Sequence, residues 1–325
     1  HSVRTHIRAT SNRLVLVRTL PRISFKYKHS THCIRPISRS NMTFSKILLL
    51  GDSLTQTAMG GWGGGLAHIY QRRADVLNRG MSGYNTRWFL RYANDTGVLG
   101  DGVLDESVML VTIFFGANDA SLLQHNPHAH VPLEEYKANL ETILKLSHAS
   151  YPNAKILVIT PPPVYHPQRL EFQKQRYKEK ATGVLERTLE NTGLYAAAAK
   201  EVLSKFQADN KDATIAKDVC CLDLYQAMLD AGKSEGNGAK KEDHGKFFYD
   251  GLHFSATGHD FVLEQLQATI TQRFPGIAVT PCQITKQWNN SGSKCSVLQQ
   301  GPYHDVIQHD DWETAFGEYK KRRLA

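Results

Sequence analysis

Runs in which nearly all residues are apolar mark the strand-like segments of this chain. Five such segments occur, at positions 47–50, 76–77, 108–115, 156–160 and 220–224, the second of them short. Continuous apolar runs of this length are typical of strands that are buried on both faces, whereas a half-exposed strand alternates apolar and polar residues. The pattern therefore predicts a sheet that is covered by other elements on both sides.

Between these runs, apolar residues recur every three or four positions, which predicts amphipathic helices. One stripe follows Pro132, a residue suited to a helix start, and another follows Gly258. The first stripe comprises Leu133, Tyr136, Leu140, Ile143, Leu144 and Ser147, and the second comprises Val262, Leu263, Leu266, Ile270 and Phe274. The stretch 169–206 predicts one or two further helices. Because strands and helices alternate, we expect an α/β fold with a central parallel five-stranded sheet between helical layers.

Polar fragments at the ends of the predicted strands are the candidates for chemistry, because ligands bind beyond the carboxyl ends of the strands in such sheets. In chain order they are GDS at 51–53, NRGMSGY at 78–84, GAND at 116–119 and, late in the chain, DGLH at 250–253. Each fragment by itself is ordinary turn sequence and a weak signal. Together they contain every group that the transfer of an acyl group requires.

A serine hydroxyl becomes a useful nucleophile only when a base removes its proton, and His253 can act as that base for Ser53 at neutral pH. Asp250 precedes His253 closely enough for one turn to bring its carboxylate to the other ring nitrogen. The tetrahedral intermediate needs fixed donors for its oxyanion. Candidates are the backbone N–H groups of Ser53 and Gly83 and the side-chain amide of Asn118. The fragments therefore predict an enzyme that uses a serine nucleophile.

In this order, the four fragments resemble the conserved blocks of the SGNH (GDSL) hydrolase family, named after a serine, a glycine, an asparagine and a histidine. The four residues fall here on Ser53, Gly83, Asn118 and His253, and the aspartate of the family matches Asp250. The resemblance implies a three-layer α/β/α sandwich of the flavodoxin-like type. It also implies an esterase or lipase mechanism that uses no metal or other cofactor. The G-x-S-x-G elbow of the α/β-hydrolase fold is absent around Ser53, which argues against that fold.

Three longer segments, GGWGGGLAHIY, DVLNRGMSGYNTRW and DGLHFSATGH, are similar to those of the isoamyl acetate-hydrolysing esterases within that family. The resemblance covers about residues 44–274. It implies a small-molecule ester of the acetate type as the substrate, with water as the second reactant. Three alternatives stay open: a carbohydrate acetylesterase, an alcohol acyltransferase that uses the same site, and a non-catalytic binding protein of the same fold.

The net charge of +8 is concentrated in the first 42 residues, which hold nine basic residues and no acidic ones. The rest of the chain has 30 basic and 31 acidic residues, a net charge of −1, which argues against a nucleic-acid partner. We expect residues 1–42 to form a basic, disordered tail, either a mitochondrial transit peptide or upstream translated sequence. We therefore expect a cytoplasmic protein, or a mitochondrial one if the tail is a transit peptide.

Beyond the tail, we predict a hydrolase domain over 43–280 and a C-terminal extension over 281–325 that packs on or caps the domain. Within the extension, the pattern predicts a loop over 282–302 and a short helix over 311–320. The polar segment 232–248 is interpreted as a surface loop near the mouth of the site. No apolar run reaches the roughly 18 residues that a membrane span needs. The oligomeric state stays open, and a homodimer is one possibility.

The cysteine and histidine positions predict no metal site. The five cysteines are odd in number and show no C-x-x-C spacing, which indicates neither a disulfide framework nor a zinc site and fits a reducing compartment. His125, His128 and His130 lie close together, but no carboxylate or cysteine accompanies them at ligand spacing. Asp52 and Asp119 are interpreted as residues that stabilise turns beside the candidate site rather than as catalytic acids.

Overall fold

The computed structural model describes residues 44–99, 105–210, 216–234, 241–281 and 314. Its central sheet contains five parallel strands in the order β2-β1-β3-β4-β5. Their bounds are Ser45–Gly51 (β1), Ala74–Gly80 (β2), Val108–Phe114 (β3), Lys155–Ile159 (β4) and Val219–Leu222 (β5). Each of the five predicted runs overlaps one of these strands, and three runs extend one or two residues past the end of the strand, so the predicted five-stranded parallel sheet is confirmed.

The helices connect the strands in the alternating order that the sequence predicts. The α-helices of the described residues are Ser53–Gln56 (α1), Trp62–Ile69 (α2), Thr86–Thr96 (α3), Leu133–Ser150 (α4), His166–Tyr177 (α5), Leu189–Asp209 (α6), Leu224–Gly232 (α7) and Ala256–Arg273 (α8). The stretch 169–206 thus contains two helices, α5 and α6. They are separate because Thr188 caps a new helix by accepting a hydrogen bond from the N–H of Asn191.

Residues of β1 alternate between two hydrophobic layers, which explains why its apolar run is continuous. Ile47 and Leu49 pack on one face of the sheet with Leu66 of α2 and Leu266 of α8. Leu48 and Leu50 pack on the other face, in the same cluster as buried residues of α3, α4 and α6, namely Phe89, Leu140, Ile143, Ala199 and Leu203. The architecture is the predicted three-layer α/β/α sandwich, and the strand order is that of flavodoxin-like folds.

The strand register brings three of the polar fragments to one edge of the sheet. Gly51, the last residue of β1, pairs with Gly80 of β2 on one side and with Phe114 of β3 on the other. The chain therefore leaves these three strands at the same level. In this fold the crevice for a ligand forms at that edge, where the strand order reverses between β1 and β3.

The segment 232–248 differs in part from the predicted surface loop. Its described residues form an antiparallel pair, Lys233–Ser234 (β6) with Lys241–Glu242 (β7), followed by a 3₁₀ helix, His244–Phe247. The side chains of Phe247 and Phe248 are 2 and 3% exposed and belong to the core layer that contains α2 and α8. Two adjacent aromatic residues bury too much apolar surface to stay in a solvated loop, so the end of the segment packs inward.

Several predicted segments lie outside the described residues. These are the basic tail over 1–42, the C-terminal loop over 282–302 and, apart from Thr314, the helix over 311–320. Among the described residues, no helix is both long and apolar enough to act as a membrane span.

Candidate active site

Ser53 is the first residue of α1 and lies directly beyond the end of β1. Asp52 forms the N-cap of this helix, because its Oδ1 accepts a hydrogen bond of 2.9 Å from the N–H of Leu54. The indole Nε1 of Trp62 donates to the carbonyl of Leu54 at 3.1 Å and holds the short helix against α2. These contacts fix the backbone of Ser53, whose side chain reaches the edge of the sheet.

Asp250 and His253 lie in one tight turn. The positive φ of Gly251, +79°, closes the turn, and this backbone conformation favours glycine. Oδ1 of Asp250 accepts from the N–H of Leu252 at 3.0 Å and from the N–H of His253 at 2.7 Å. These bonds leave Oδ2 of Asp250 directed at the imidazole, 2.7 Å from Nδ1 of His253. The turn therefore supplies the base and its acceptor together, as the spacing in the sequence predicts.

The structure also brings Ser53 and His253 together, although 200 positions separate them in the chain. Oγ of Ser53 lies 3.0 Å from Nε2 of His253. An ionised carboxylate can only accept, so Nδ1 of the neutral imidazole carries the ring proton and Nε2 is free to accept from the serine hydroxyl. A continuous line of hydrogen bonds thus runs from Ser53 through His253 to Asp250.

The electrostatic setting keeps Asp250 ionised. Burial raises the pKa of this carboxyl group, but the hydrogen bond and the charge of His253, together with the N–H groups of His253 and Leu252, outweigh that effect and lower its pKa to about 2. The side chain of Asp250 is 2% exposed and that of His253 is 24% exposed. The acid is therefore a buried anion, while the imidazole still reaches the solvent.

Gly83 and Asn118 line the same cavity as Ser53 and His253. Gly83 has a φ of +80°, and a Cβ atom added to it would meet no atom within 4 Å. Glycine is needed here for its backbone conformation, and the space in front of it is open to a ligand. All the predicted site residues, Ser53, Gly83, Asn118, Asp250 and His253, therefore lie at one edge of the sheet.

The side-chain amide of Asn118 has a defined orientation. Its Nδ2 donates to the carbonyl of Tyr84 at 2.9 Å and, more weakly, to Oδ2 of Asp52 at 3.3 Å. Its Oδ1 accepts from Nη2 of Arg187 at 2.8 Å. A guanidinium can only donate and a carbonyl can only accept, so these partners decide which end of the amide carries the nitrogen.

The two aspartates beside the candidate residues have structural contacts. Burial raises the pKa of Asp52 to about 7, although the N–H of Leu54 opposes the rise. Burial likewise raises the pKa of Asp119 to about 6, against hydrogen bonds from Thr86. Oδ1 of Asp119 accepts from both the N–H and the hydroxyl of Thr86 and ties the start of α3 to the end of β3. Both carboxylates thus accept hydrogen bonds from backbone N–H groups, as expected for residues that stabilise turns.

The family model described as GDSL-like lipase/acylhydrolase matches residues 47–266, a range that contains all four polar fragments. The chain belongs to the GDSL-like lipase/acylhydrolase family. This membership confirms the resemblance seen in the sequence and makes the protein a carboxylic ester hydrolase.

Individual relatives of this GDSL-like hydrolase are similar over most of their own length. The chain is 36% identical over 245 residues to the isoamyl acetate-hydrolyzing esterase 1 homolog of Bos taurus, and the aligned region covers 74% of this chain and 87% of that protein. It is 37% identical over 224 residues to a GDSL esterase/lipase of Arabidopsis thaliana, with 68 and 83% covered. Among solved structures, an acetylxylan esterase from Geobacillus stearothermophilus superposes with a TM-score of 0.49 at 19% identity, covering 70% of this chain and 94% of that one.

The cavity of this GDSL-like hydrolase has a volume of about 600 Å³ and is open to solvent at the edge of the sheet. This volume lies within the range of small-molecule sites, roughly 300–1,000 Å³. Helix α5 and the segment that precedes α6 supply much of its wall, including Gln173, Glu186, Arg169 and Arg187. No sequence signal distinguishes these four residues, because a polar or charged residue in a predicted helical stretch is usually solvated.

Described histidines outside the proposed triad, such as His130 and His259, make contacts within the protein rather than form a metal site. In the parts of the chain that the structure describes, no group of three or more histidine, cysteine, aspartate or glutamate side chains is arranged to hold a metal ion. His130 instead has its Nδ1 2.6 Å from the carbonyl of Ser121. His259 lies in α8, where its ring packs edge-on against Phe254.

Proposed function

We propose that this protein is a serine esterase that hydrolyses small carboxylic esters, with Ser53, His253 and Asp250 as its catalytic triad. The observation that supports the proposal most directly is the 3.0 Å contact between Oγ of Ser53 and Nε2 of His253. It lies beside an open cavity and continues through Nδ1 of His253 to a buried carboxylate. A nucleophile, a base and an orienting acid thus occur in the order that acyl transfer requires.

In the first half of the reaction, Ser53 attacks the carbonyl carbon of the ester while His253 takes the hydroxyl proton. Asp250 holds the tautomer of the ring and stabilises the imidazolium that forms. His253 then gives the proton to the leaving alcohol. In the second half, water activated by His253 attacks the acyl group on Ser53 and releases the acid.

The oxyanion of each tetrahedral intermediate is held by the N–H groups of Ser53 and Gly83 and by Nδ2 of Asn118. Nδ2 has two hydrogens, and the bond to the carbonyl of Tyr84 is shorter than the bond to Asp52, 2.9 against 3.3 Å. The weaker bond to Asp52 is the one that a developing oxyanion replaces, while the bond to Tyr84 keeps the amide in place.

We propose acetates of short alcohols as the substrate class. The support is similarity to relatives that match this chain over most of their own length. They are the isoamyl acetate-hydrolyzing esterase 1 homolog of Bos taurus and the isoamyl acetate-hydrolyzing esterase of Saccharomyces cerevisiae. A hydrolysis screen with esters graded separately in acyl and alcohol size tests this class. We expect kcat/KM to be highest for acetates, and a preference of tenfold or more for long acyl chains would contradict it.

A second candidate, hydrolysis of acetylated sugars, is favoured by the amide side chains in the cavity wall. Gln124, Asn126 and Gln173 line the cavity and offer donors and acceptors that suit hydroxyl groups better than an alkyl chain. Acetylated xylose and isoamyl acetate, compared at equal concentration, distinguish the two substrates. Transfer of the acyl group to an added alcohol, rather than to water, would indicate an acyltransferase.

The catalytic role of Ser53 is tested with a fluorophosphonate probe, which reacts with activated serines. We expect the folded protein to be labelled at Ser53 and both the denatured protein and Ser53→Ala to stay unlabelled. We also expect kcat/KM to have an acidic limb, because only a neutral imidazole can accept the proton of the serine. Full esterase activity in Ser53→Ala would exclude Ser53 as the nucleophile. A native protein that is neither labelled nor active on esters would leave a binding protein of this fold.

A further inference from the structure

A cluster of buried charged side chains lies against the candidate site, between α5 and the segment that precedes α6. The side chains of Arg169, Glu186 and Arg187 are 8, 13 and 7% exposed. The carboxylate of Glu186 accepts from Nε of Arg169 at 2.7 Å, from Nη1 of Arg187 at 3.0 Å and from Gln173. Together with Asp250, the cluster holds two positive and two negative side chains, so the charges of these largely buried groups balance.

Arg169 extends from this cluster to the acid of the proposed triad. Its Nη1 donates to Oδ2 of Asp250 at 3.1 Å, and the same oxygen lies 2.7 Å from Nδ1 of His253. One carboxylate oxygen therefore faces a guanidinium and an imidazole at once. The guanidinium is rigid and permanently charged, so it restricts rotation of the carboxylate and offsets part of the negative potential that the carboxylate exerts on the ring.

Arg187 extends from the same cluster to the proposed oxyanion site. Its Nε donates to the carbonyl of Ala117 at 2.8 Å, and its Nη2 donates to Oδ1 of Asn118 at 2.8 Å. These two bonds hold the backbone and the side chain at the end of β3 with one planar group. A cation that donates to the amide oxygen also polarises the amide, which makes Nδ2 a stronger donor on its other side.

We propose that Arg169 and Arg187, joined by Glu186, are positioning residues of the esterase site: Arg169 holds Asp250 and offsets the charge that Asp250 presents to the ring of His253, and Arg187 orients the amide of Asn118. The inference deepens the proposed function and rests on it. It connects the triad acid and the oxyanion amide, which lie far apart in the sequence, through one buried carboxylate.

The surroundings of His253 determine the sign of the expected pH effect. The groups that face it are Asp250 in its own turn, Tyr249, whose ring stacks on the imidazole at a centroid distance of 5.8 Å, Ser53 and Asp52 at the start of α1, and Arg169 from α5. Glu186 and Arg187 are joined to Arg169, and the cations Arg176 and Lys180 line the same cavity. Arg169 is the positive group in contact with the shared oxygen of Asp250. Its removal makes these surroundings more negative, which favours the imidazolium.

The first test measures kcat/KM from pH 4.5 to 8.5 in Arg169→Gln. We expect the midpoint of the acidic limb to move upward by about one pH unit. Arg169→Lys keeps the charge and is expected to restore the parental midpoint, while Lys174→Gln, an exposed cation on the same helix, serves as the matched control. A purely structural role would lower kcat or the melting temperature without moving the limb, and an unmoved limb in folded Arg169→Gln overturns this half of the inference.

The second test measures kcat and KM separately in Arg187→Met. We expect kcat to fall by about tenfold or more while KM stays within about threefold, because a misdirected amide affects mainly the transition state. Arg187→Lys is expected to recover part of the loss. If Arg187→Met keeps kcat within threefold of the parent, Arg187 does not position the oxyanion amide.

Loss of one buried charge can prevent folding, so charge-balanced variants complete the design. Arg169→Gln combined with Glu186→Gln removes one charge of each sign, and its acidic limb is still expected to move upward because Arg169 is in contact with Asp250 and Glu186 is not. For Arg187, the balanced variant combines Arg187→Met with Glu186→Gln and decides if the single variant does not fold: kcat within threefold of the parent overturns that role. Ser53→Ala, assayed alongside, distinguishes failure of the proposed function from failure of the further inference. Activity in Ser53→Ala would contradict the proposed function. An inactive Ser53→Ala, together with an unmoved acidic limb in Arg169→Gln, contradicts only the inference.

Discussion

Replacing Gly251 with alanine places a methyl group in a turn that has no room for one. A Cβ atom at this position would lie 2.4 Å from the carbonyl oxygen of Tyr165 and 2.6 Å from the backbone nitrogen of Arg169. Both neighbours are backbone atoms at the start of α5, and the N–H of Tyr165 donates to the carbonyl of Gly251 at 2.9 Å. The overlap can therefore be relieved only if the turn that carries Asp250 and His253 moves away from α5.

The expected loss of stability has two parts. The positive φ of Gly251 costs alanine roughly 1–2 kcal/mol, less about 0.4–1 kcal/mol because alanine also restricts the unfolded chain. Relief of the overlap adds about 1–3 kcal/mol, the usual cost of overpacking a filled region. We therefore expect Gly251→Ala to lower the free energy of unfolding by about 1–4 kcal/mol.

Gly183 is a matched control for the cost of the positive φ alone. Its φ is +71°, close to the +79° of Gly251, but a Cβ atom there would meet nothing within 4 Å. Urea unfolding of Gly251→Ala and Gly183→Ala, followed by circular dichroism, isolates the overlap as the difference between the two variants. We expect that difference to be about 1–3 kcal/mol.

Activity provides the second measurement on Gly251→Ala. A shift of about 1 Å in a catalytic group can cost on the order of 10²-fold in rate, so we expect kcat for a small acetate to fall by about 10–100-fold while the variant stays folded. Equal stability of the two alanine variants, within about 0.5 kcal/mol, together with a kcat within about threefold of the parent, would refute the reasoning. That result would mean that the turn tolerates displacement from α5.

Three further predictions concern the oxyanion site, a buried acid and the core. Asn118→Ala is expected to lower kcat by about 10²–10³-fold in steady-state assays, and a loss of less than threefold would contradict its role. Because burial raises the pKa of Asp52 from 3.8 to about 7, the folded protein binds more protons than the unfolded chain between these values, and its stability falls as the pH rises through them. Asp52→Asn removes this dependence. In urea unfolding, the free energy of unfolding of Asp52→Asn minus that of the parent should therefore rise by on the order of 3 kcal/mol from pH 4 to pH 8. A difference that stays constant with pH would contradict a protonated Asp52 in the folded protein. Leu266→Ala, at a fully buried position, is expected to cost about 2–5 kcal/mol in the same assay, against less than about 0.5 kcal/mol for Leu194→Ala at a position that is 56% exposed.

The sequence predicts the sheet well because strands that are buried on both faces cannot contain a polar side chain without cost. The run at 108–115 illustrates this: every residue of β3, Val108–Phe114, is buried, and all of them except Thr112 are apolar. The apolar stripe after Pro132 predicts helix α4 equally well, because one face of α4 packs on the sheet and the other is solvated. The end of the segment 232–248 was harder to predict. Most of the segment is polar, and this composition predicts a surface loop, although Phe247 and Phe248 at its end pack into the core.

By itself, the sequence determined which residue types stand at the ends of the strands, and short-range rules then predicted the turn in which Asp250 meets His253, because local spacing fixes what one turn can bring together. Only the tertiary structure decided that Oγ of Ser53 lies 3.0 Å from Nε2 of His253, since a contact across 200 positions depends on the register of the parallel strands. Nor does any local pattern distinguish Arg169 and Arg187 from solvated arginines. Their burial follows from where α5 and the segment before α6 pack against the sheet edge, and in that setting a charge is retained because partners from distant parts of the chain balance it.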